Sequence, residues 1–552
     1  MLAFMLALVA AALVVALTLW LVAQRWNPIE KQWCVMFYLV AQIPDLIEQP
    51  DYETGARTPG QTLDGQLDDV VNAITSLPCA TEAGIAAEPQ WNDVYVAYRA
   101  IWDDNAHSPE ARVVRPEASA PSTQYFDGES PSDISLSIDL SADIRKFFEW
   151  AYENCPAQHY AVFFWGHAMG PGGLFHQGER PVVVAPLVAF VLRFVRQIFG
   201  IYRWSGSVGL EGFREAIQPI VAKRRIHKHA ATRRRSLRRS RSTSTDTGAP
   251  PPPPPPSTSS NPSTAVVPKV EVVLFQDCWM AGLETAFELQ NDVRYIIASQ
   301  SLVPIGLNPV EGQPGTTWEY KKLIDALLTQ TNYAAALLGL LKAFFDVGGN
   351  NIYPNKKVLF SLLDCGDTQD YVSNSITTSY LNLVKALQPL GPDGRSKLID
   401  QSDGTAGRLY EMSGGSIQVG DQSLIDVLTM CTYFQAPDQW PPSLVVATAD
   451  RDEIVKCAGS LQQAVDALIV DRFQSPPQAT SVPVYTGVTA LYKTWIPSGD
   501  DVYIDNTFRV PYEALRFSKE TLYAPGSPTA DEVSWTQYAF EQYPWVDPWF
   551  LY

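Results

Sequence analysis

The sequence predicts an α/β protein in which a mostly parallel sheet lies between two layers of helices, followed by a smaller, mainly helical domain. Six short segments rich in β-branched and aromatic residues recur in the first 365 residues, and several are apolar throughout, as strands buried on both faces tend to be. Segments with helical periodicity separate them, which is the pattern of a three-layer α/β/α structure. The predicted strands are 33–40, 93–102, 159–165, 269–276, 293–299 and 356–364.

The helical segments complete this division into two domains. They lie at 62–76, 141–153, 209–222 and 282–291, and then, in longer form, at 423–433 and 451–473. A segment with β character follows near residues 482–495. We therefore predict a first domain at 31–365 and a C-terminal domain at 366–552.

The N-terminus carries an unbroken apolar run, Leu2–Ala23. At about 1.5 Å per residue in a helix, this run is long enough to cross a bilayer. A signal peptide usually has a basic start and a cleavage site of small residues, whereas no Lys or Arg precedes this run and Leu21–Gln24 makes a poor cleavage site. We predict a transmembrane anchor at 1–24 and a single-pass membrane protein; secretion after signal cleavage is the alternative.

A long insertion interrupts the first domain at 176–268. Ten Lys or Arg and no acid lie between Lys223 and Arg241, and seven consecutive prolines occupy 250–256. Residues 223–268 cannot bury enough apolar area to fold, so we predict that they are disordered. The whole chain has a net charge of −18, and nucleic acid is not an expected partner of the protein. Three roles stay open for the basic tract itself: a solvated linker, a contact with acidic lipids and a nucleic-acid patch.

The cysteine pattern limits the kinds of site that the chain can hold. Seven cysteines are scattered at 34, 79, 155, 278, 365, 431 and 457, without any CxxC pair. An odd number with no such pairs argues against a disulfide framework and against a zinc site. The chain also has no dense carboxylate loop of the EF-hand type. No metal site is predicted.

Cys278 stands where a predicted strand turns directly into a helix. Open α/β sheets keep their chemistry at this edge, and a cysteine nucleophile needs a nearby base to form the thiolate. Of the six histidines, His167 alone follows a predicted strand in a glycine-rich turn, GHAMGPGG. Because parallel strands end at one edge, His167 and Cys278 are candidates for a catalytic pair. By residue type and spacing alone, a structural role is favoured, because a cysteine or histidine at a strand end is usually packed or exposed without any chemistry.

Two segments resemble the active-site blocks of the clostripain-like cysteine peptidases, a family with a caspase-like fold. They are WGHAMG at 165–170 and QDCWMAGLETAFEL at 276–289. Further similarity lies at WCVMFYLVAQ (33–42), IIASQSLVPIG (296–306) and GVTALYKTWIP (487–497). The resemblance spans roughly residues 31–540, and the segments occur in the family's order.

The resemblance implies a caspase-like α/β/α fold and a cysteine endopeptidase that acts on proteins or peptides. In this chain it makes Cys278 the nucleophile and His167 the general acid and base. Backbone N–H groups at Ala168 and Cys278 would hold the oxyanion. Calcium dependence is known within the family, and no other cofactor is implied.

Two positions depart from the family pattern. Ala168 stands where the family has glycine, which would strain the chain only if that position requires a positive φ. Gln276 stands where the family has a substrate-binding aspartate that selects Arg or Lys, so a basic preference no longer follows.

Two other functions therefore stay open. One is an inactive peptidase-fold protein that acts as a membrane-anchored interaction scaffold, and the other is an adaptor that works through the basic and proline tracts. The family's maturation by cleavage between the two blocks makes Lys223–Arg241 a candidate for self-processing.

Overall fold

A computed structural model describes a large part of the chain. The described residues are 30–41, 63–102, 109–114, 140–166, 168, 170, 208–218, 220–221, 269–301, 303, 318–345, 358–366, 373–391, 394, 397–398, 417–419, 422–475 and 486–494. The predicted anchor at 1–24 and the predicted disordered stretch 223–268 lie outside them, and both stay predictions. Within the described part of the chain, no helix combines the length and apolar character needed to span a bilayer.

A mainly parallel sheet forms the centre of the molecule. Its strands, in chain order, are β1 (Lys31–Val40), β2 (Val94–Ile101), β3 (Glu110–Val113), β4 (Ala157–Trp165), β5 (Val270–Gln276), β6 (Val293–Ser299), β7 (Val358–Asp364) and, far along the chain, a strand at Ile469–Ser475. The strand at Ile469–Ser475 is β10, because two shorter strands precede it in the chain. The order of the strands across the sheet is β10-β7-β6-β5-β4-β1-β2-β3. Five strands that are adjacent in the sheet, β2, β1, β4, β5 and β6, run parallel to one another. β3 and β7 are antiparallel to their neighbours β2 and β6. All six predicted strands are confirmed.

The helices lie on both faces of this sheet. They are α1 (Leu63–Thr75), α2 (Glu82–Ala87), α3 (Leu140–Asn154), α4 (Leu283–Leu289), α5 (Tyr320–Thr329) and α6 (Tyr333–Phe345). Successive side chains of β1 point to opposite faces: Phe37 packs against Tyr320 of α5, and Tyr38 packs against Phe147 of α3. A further helical segment at 210–218 joins α3 through Phe213. The three-layer α/β/α prediction is therefore confirmed.

Where the structure describes the C-terminal half, three α-helices and a small sheet are present. The helices are α7 (Thr378–Leu387), α8 (Val427–Phe434) and α9 (Thr448–Leu468); β8 (Ile417–Val419), β9 (Gln422–Asp426) and β11 (Thr489–Thr494) form an antiparallel sheet in the order β11-β9-β8. The β segment predicted near 482–495 is thus confirmed. The proposed division at residue 366 stays a prediction, although β10 joins this half of the chain to the main sheet.

Two helices predicted in this half are present, but their predicted bounds are wrong. The segment 423–433 is strand up to Asp426 and helix only from Val427, because its first residues pair with β11. The helix predicted at 451–473 ends at Leu468, and the chain continues as β10 against β7. In both places strand pairing with a distant segment overrides a helix-like pattern.

A buried ion pair joins α3 to the sheet. Arg99 of β2 binds Asp143 of α3 through Nη2–Oδ1 and Nε–Oδ2 contacts of 2.6 and 3.0 Å, and the Tyr38 hydroxyl donates to the same carboxylate at 2.9 Å. Both charged side chains are less than one-tenth exposed. Because the carboxylate has three donors, this buried charge is well compensated.

We expect Asp143→Ala to lower the free energy of unfolding by about 3–5 kcal/mol, since it leaves the Arg99 guanidinium buried without its partner. Chemical denaturation of the full chain measures this. Glu149→Ala, which breaks the exposed Arg145–Glu149 pair, is the control and should change the value by at most about 0.5 kcal/mol. An equal effect of the two substitutions would contradict the role given to the buried pair.

Candidate active site

The two turns singled out in the sequence leave the sheet side by side. β4 and β5 are parallel neighbours, and Trp165 at the end of β4 stands opposite Gln276 at the end of β5. Cys278 follows on the strand-to-helix turn between β5 and α4, as predicted. His167, two residues after Trp165, lies outside the described residues.

The described part of the histidine turn packs directly on the cysteine turn. Gly170 has a φ of +60°, and a Cβ atom added to it would lie 3.0 Å from the carbonyl oxygen of Trp279, the residue after Cys278. The chain approaches so closely here that a side chain would require a shift, and the left-handed φ itself favours glycine. The structure therefore brings the chain three residues after His167 into contact with the chain next to Cys278.

Ala168 fits its position without the strain considered above. It is fully buried. Apart from glycines, the described residues with a positive φ comprise Trp279 alone. The replacement of glycine by alanine at 168 therefore introduces no left-handed residue.

The cysteine turn itself contains an unusual backbone conformation. Trp279 has a φ of 56°, in the left-handed region that large side chains avoid at a cost of roughly 1–2 kcal/mol. Hydrogen bonds to the end of β6 and to the residues just after it hold the turn there: Trp279 N–H donates to Ser301 O at 3.2 Å, and Ala281 N–H donates to Ser299 O at 2.9 Å. Strained residues that are held in this way cluster at functional sites.

The sulfur of Cys278 receives a backbone hydrogen bond. Val303 N–H donates to Sγ at 3.3 Å. This N–H favours the thiolate, which is the nucleophilic form, whereas the Val303 carbonyl oxygen, 3.9 Å from Sγ, accepts a hydrogen bond from the thiol. The side chain is only 5% exposed, so the surrounding chain covers most of the thiol.

Most of the other cysteines are core residues with poor thiolate character. Cys34, Cys365 and Cys431 are completely buried, and desolvation raises the pKa of each thiol, to about 12 for Cys365. Burial also raises the pKa of Cys79 to about 12 and that of Cys457 to about 11. These five thiols are protonated at neutral pH.

Gln276 lies below the cysteine turn and faces α5. It is 2% exposed, and its Oε1 accepts a hydrogen bond of 2.8 Å from the Tyr320 hydroxyl. Its Nε2 has no hydrogen-bond partner among the described residues. The amide is therefore oriented by Tyr320 and retains an unused donor. Sequence reasoning selected Gln276 but gave no sign of its partner on α5.

Asp277 is a buried carboxyl group directly before the cysteine. It is fully buried, and in the described structure neither carboxyl oxygen has a hydrogen-bond partner. Desolvation raises its pKa from 3.8 to about 8, so the group is mostly protonated at neutral pH. A neutral Asp277 places no negative charge beside the Cys278 thiolate.

Clusters of carboxylate, histidine and cysteine side chains suited to a metal ion are absent from the described residues. The expectation of no metal site is untested for the rest of the chain.

No protein-family model matches this chain, and no curated protein matches it. Solved structures similar to it include a secreted C11 cysteine protease from Bacteroides thetaiotaomicron, "iotapain", which is 11% identical with 89% of this chain and 99% of that chain covered and a TM-score of 0.45. An inactive zymogen C11 protease from Parabacteroides distasonis is 12% identical, with the same coverage and a TM-score of 0.43. The B. thetaiotaomicron protease in complex with an irreversible peptide inhibitor is 10% identical, with 89% and 98% covered and a TM-score of 0.43.

We expect Asp277→Asn to stabilise the protein at neutral pH. In the unfolded chain this carboxyl group ionises near pH 4, and in the folded chain near pH 8. Between these values the unfolded state binds fewer protons than the folded state, so the free energy of unfolding falls as pH rises. The amide removes that contribution, and Tm at pH 7.5 should rise by about 2–4 °C or more.

Thermal unfolding of wild type and variant between pH 4 and 9 measures the difference. The two curves should converge near pH 4 and separate towards pH 8. Asp452→Asn, at a side chain 70% exposed, is the control and should follow the wild type. A variant less stable than wild type at pH 7.5 would show that Asp277 is charged and paired.

Proposed function

We propose that the protein is a cysteine endopeptidase that hydrolyses peptide bonds through Cys278 and His167. The observation that carries the proposal is the contact between the two turns, where Gly170 lies against the Trp279 carbonyl at the ends of two adjacent parallel strands. Neighbouring strands are about 4.8 Å apart, so the proposal puts the side chains two residues beyond each strand end within reach of each other.

In this mechanism the Cys278 thiolate attacks the scissile carbonyl carbon and forms a tetrahedral intermediate. Collapse to the acyl-enzyme breaks the peptide bond, and protonated His167 gives its proton to the departing amine. His167 then removes a proton from water, which attacks the acyl-enzyme and releases the acid. Backbone N–H groups of Ala168 and Cys278 are the proposed oxyanion donors, each worth about 2.7–4 kcal/mol of barrier.

The hydrogen bond from Val303 N–H to Sγ supports the nucleophilic role, because it favours the thiolate before substrate arrives. The small exposed fraction of Cys278, 5%, means that substrate access requires movement of the covering chain. Cleavage in the basic tract Lys223–Arg241 would cut the chain at a point that lies in sequence between His167 and Cys278. We propose self-processing at this tract as the step that opens the site.

The same burial favours a second candidate function, an inactive peptidase-fold scaffold. In that case the covered thiol is never released, and the fold serves protein interaction. The two functions differ in whether a peptide reagent can reach Cys278 after the tract has been cut.

We expect Cys278→Ala to lower peptide hydrolysis by about 10⁴-fold or more and His167→Ala to lower it by about 10²–10⁴-fold. Initial rates with a pooled peptide library measure this, and labelling by a thiol-directed peptide probe should require both residues. The control is His159→Ala, which should keep full activity. His159 is partly exposed, lies near the start of β4 and therefore at the opposite end from the candidate site, and pairs with Glu271 of β5.

Self-processing predicts that the wild type yields two fragments and that Cys278→Ala remains a single chain. Wild type that has been cut in the tract by an added protease and still takes no probe would establish the scaffold instead.

Gln276 is the proposed substrate-binding residue, and its setting argues against a strong basic preference. Its Oε1 is occupied by Tyr320, and its free Nε2 is a donor, which a guanidinium or ammonium group cannot use. A substrate side chain that accepts a hydrogen bond, such as an amide, suits this position better.

We expect wild type to cleave after Arg or Lys no more than about 10-fold better than after Gln. Gln276→Glu keeps the size and the Tyr320 contact but adds a charge, and should raise the Arg-to-Gln ratio of kcat/KM by about 10-fold, because charge-assisted hydrogen bonds are roughly twice as strong. Profiling with peptides that differ only at this residue measures the ratio. A wild type that strongly prefers Arg would assign the selecting charge to Asp277.

A further inference from the structure

The cysteine turn is held from two sides by segments distant in sequence. On one side, the carbonyl oxygens of Ser299 and Ser301 accept hydrogen bonds from two N–H groups of the turn, and the Val303 N–H donates to the sulfur. On the other side, Thr489 of β11 donates to Ala281 O through its N–H at 2.9 Å and through its hydroxyl at 3.2 Å. The position of the sulfur therefore depends on how these two segments are fixed to each other.

A single buried glutamine joins them. Gln300 is fully buried. Its Nε2 donates to Asp426 Oδ2 at 2.7 Å, and its Oε1 accepts from Gly487 N–H at 2.9 Å, two residues before Thr489. Both ends of the amide are thus engaged by the small sheet, while its backbone belongs to the segment that contacts the cysteine turn.

Asp426 is the common partner at the end of β9. Besides Gln300, its carboxylate accepts from Thr429 N–H at 2.9 Å, where it caps the start of α8, and from the N–H and hydroxyl of Thr486. These donors fix the carboxylate relative to α8 and to the chain entering β11. The Gln300 side chain is consequently bound to a carboxylate whose position is fixed by α8 and by Thr486.

We propose that Gln300 and Asp426 are positioning residues for Cys278, which connect the small C-terminal sheet to the Val303 N–H that stabilises the thiolate. The inference rests on the proposed function for its biological meaning, but it concerns the reactivity of the thiol. Without the Gln300 amide, Ser299 and Gln300 keep their backbone pairing with β7 but lose the side-chain link to Asp426 and Gly487, and the strained Trp279 conformation favours relaxation of the turn away from Val303. The sulfur then loses its N–H donor.

Alkylation of the full chain by iodoacetamide between pH 6 and 10, with each site followed by mass spectrometry, tests this. Cys457 on α9 is an internal reference, because it is also 5% exposed and global unfolding exposes both thiols alike. In wild type, Cys278 should react at least about 10-fold faster than Cys457 at pH 7.5. Gln300→Met should lower this ratio by about 10-fold, equivalent to one pKa unit.

Tyr98→Phe is the matched control. It removes a buried hydrogen bond of 2.6 Å to Glu110 at the opposite edge of the main sheet, and it should leave the ratio within about 2-fold. Asp426→Ala, which removes the acceptor of the Gln300 amide, should lower the ratio by about 10-fold as Gln300→Met does, and it decides the question if Gln300→Met does not fold.

An unchanged ratio in the folded Gln300 variant would overturn the proposal, as would an equal fall in Tyr98→Phe. Wild-type Cys278 that reacts no faster than Cys457 would overturn it as well. Because no peptide takes part, these outcomes are distinct from a lack of peptidase activity: a fast, Gln300-dependent thiol in a protein that cleaves nothing would retain the positioning role and reject the proposed function.

Discussion

The register between β4 and β5 is the constraint on which the candidate site depends. Trp165 stands opposite Gln276 in a parallel pair, so the chain leaves both strands at the same level and on the same edge. A slip of one residue would turn every side chain of one strand to the other face of the sheet. Apolar residues buried on both faces of β4 and β5 fix that register. Core packing thus determines where the two turns meet.

The sequence reveals the core of this fold because several of its strands are apolar throughout. It does not reveal β3, which is only four residues long, EARV, or the end of the helix at Leu468, where neither glycine nor proline marks the change to strand. The β10 segment IVDRFQS becomes a strand through pairing with β7. Asp426, an N-cap residue typical of a helix start, is a signal in the sequence for the correct beginning of α8.

The candidate site likewise contains residues that the sequence identifies and residues that only the folded structure identifies. Cys278 and His167 are recognisable because each follows a predicted strand in a turn, and the resemblance adds Gln276. Val303 acts through a backbone N–H, which has no residue-type signal at all. Gln300 and Asp426 are 126 residues apart in sequence, and only the folded chain shows that one amide connects them.

Two unfavourable features flank the sulfur, and they explain why so many hydrogen bonds converge there. Trp279 occupies a left-handed conformation, and the buried Asp277 carboxyl group has no partner among the described residues. Each lowers the stability of the turn. The segment 299–303 on one side and Thr489 on the other compensate for this by holding the backbone from Trp279 to Ala281. The strain and this support therefore occur together at the turn where Sγ meets the Val303 N–H at the edge of the sheet.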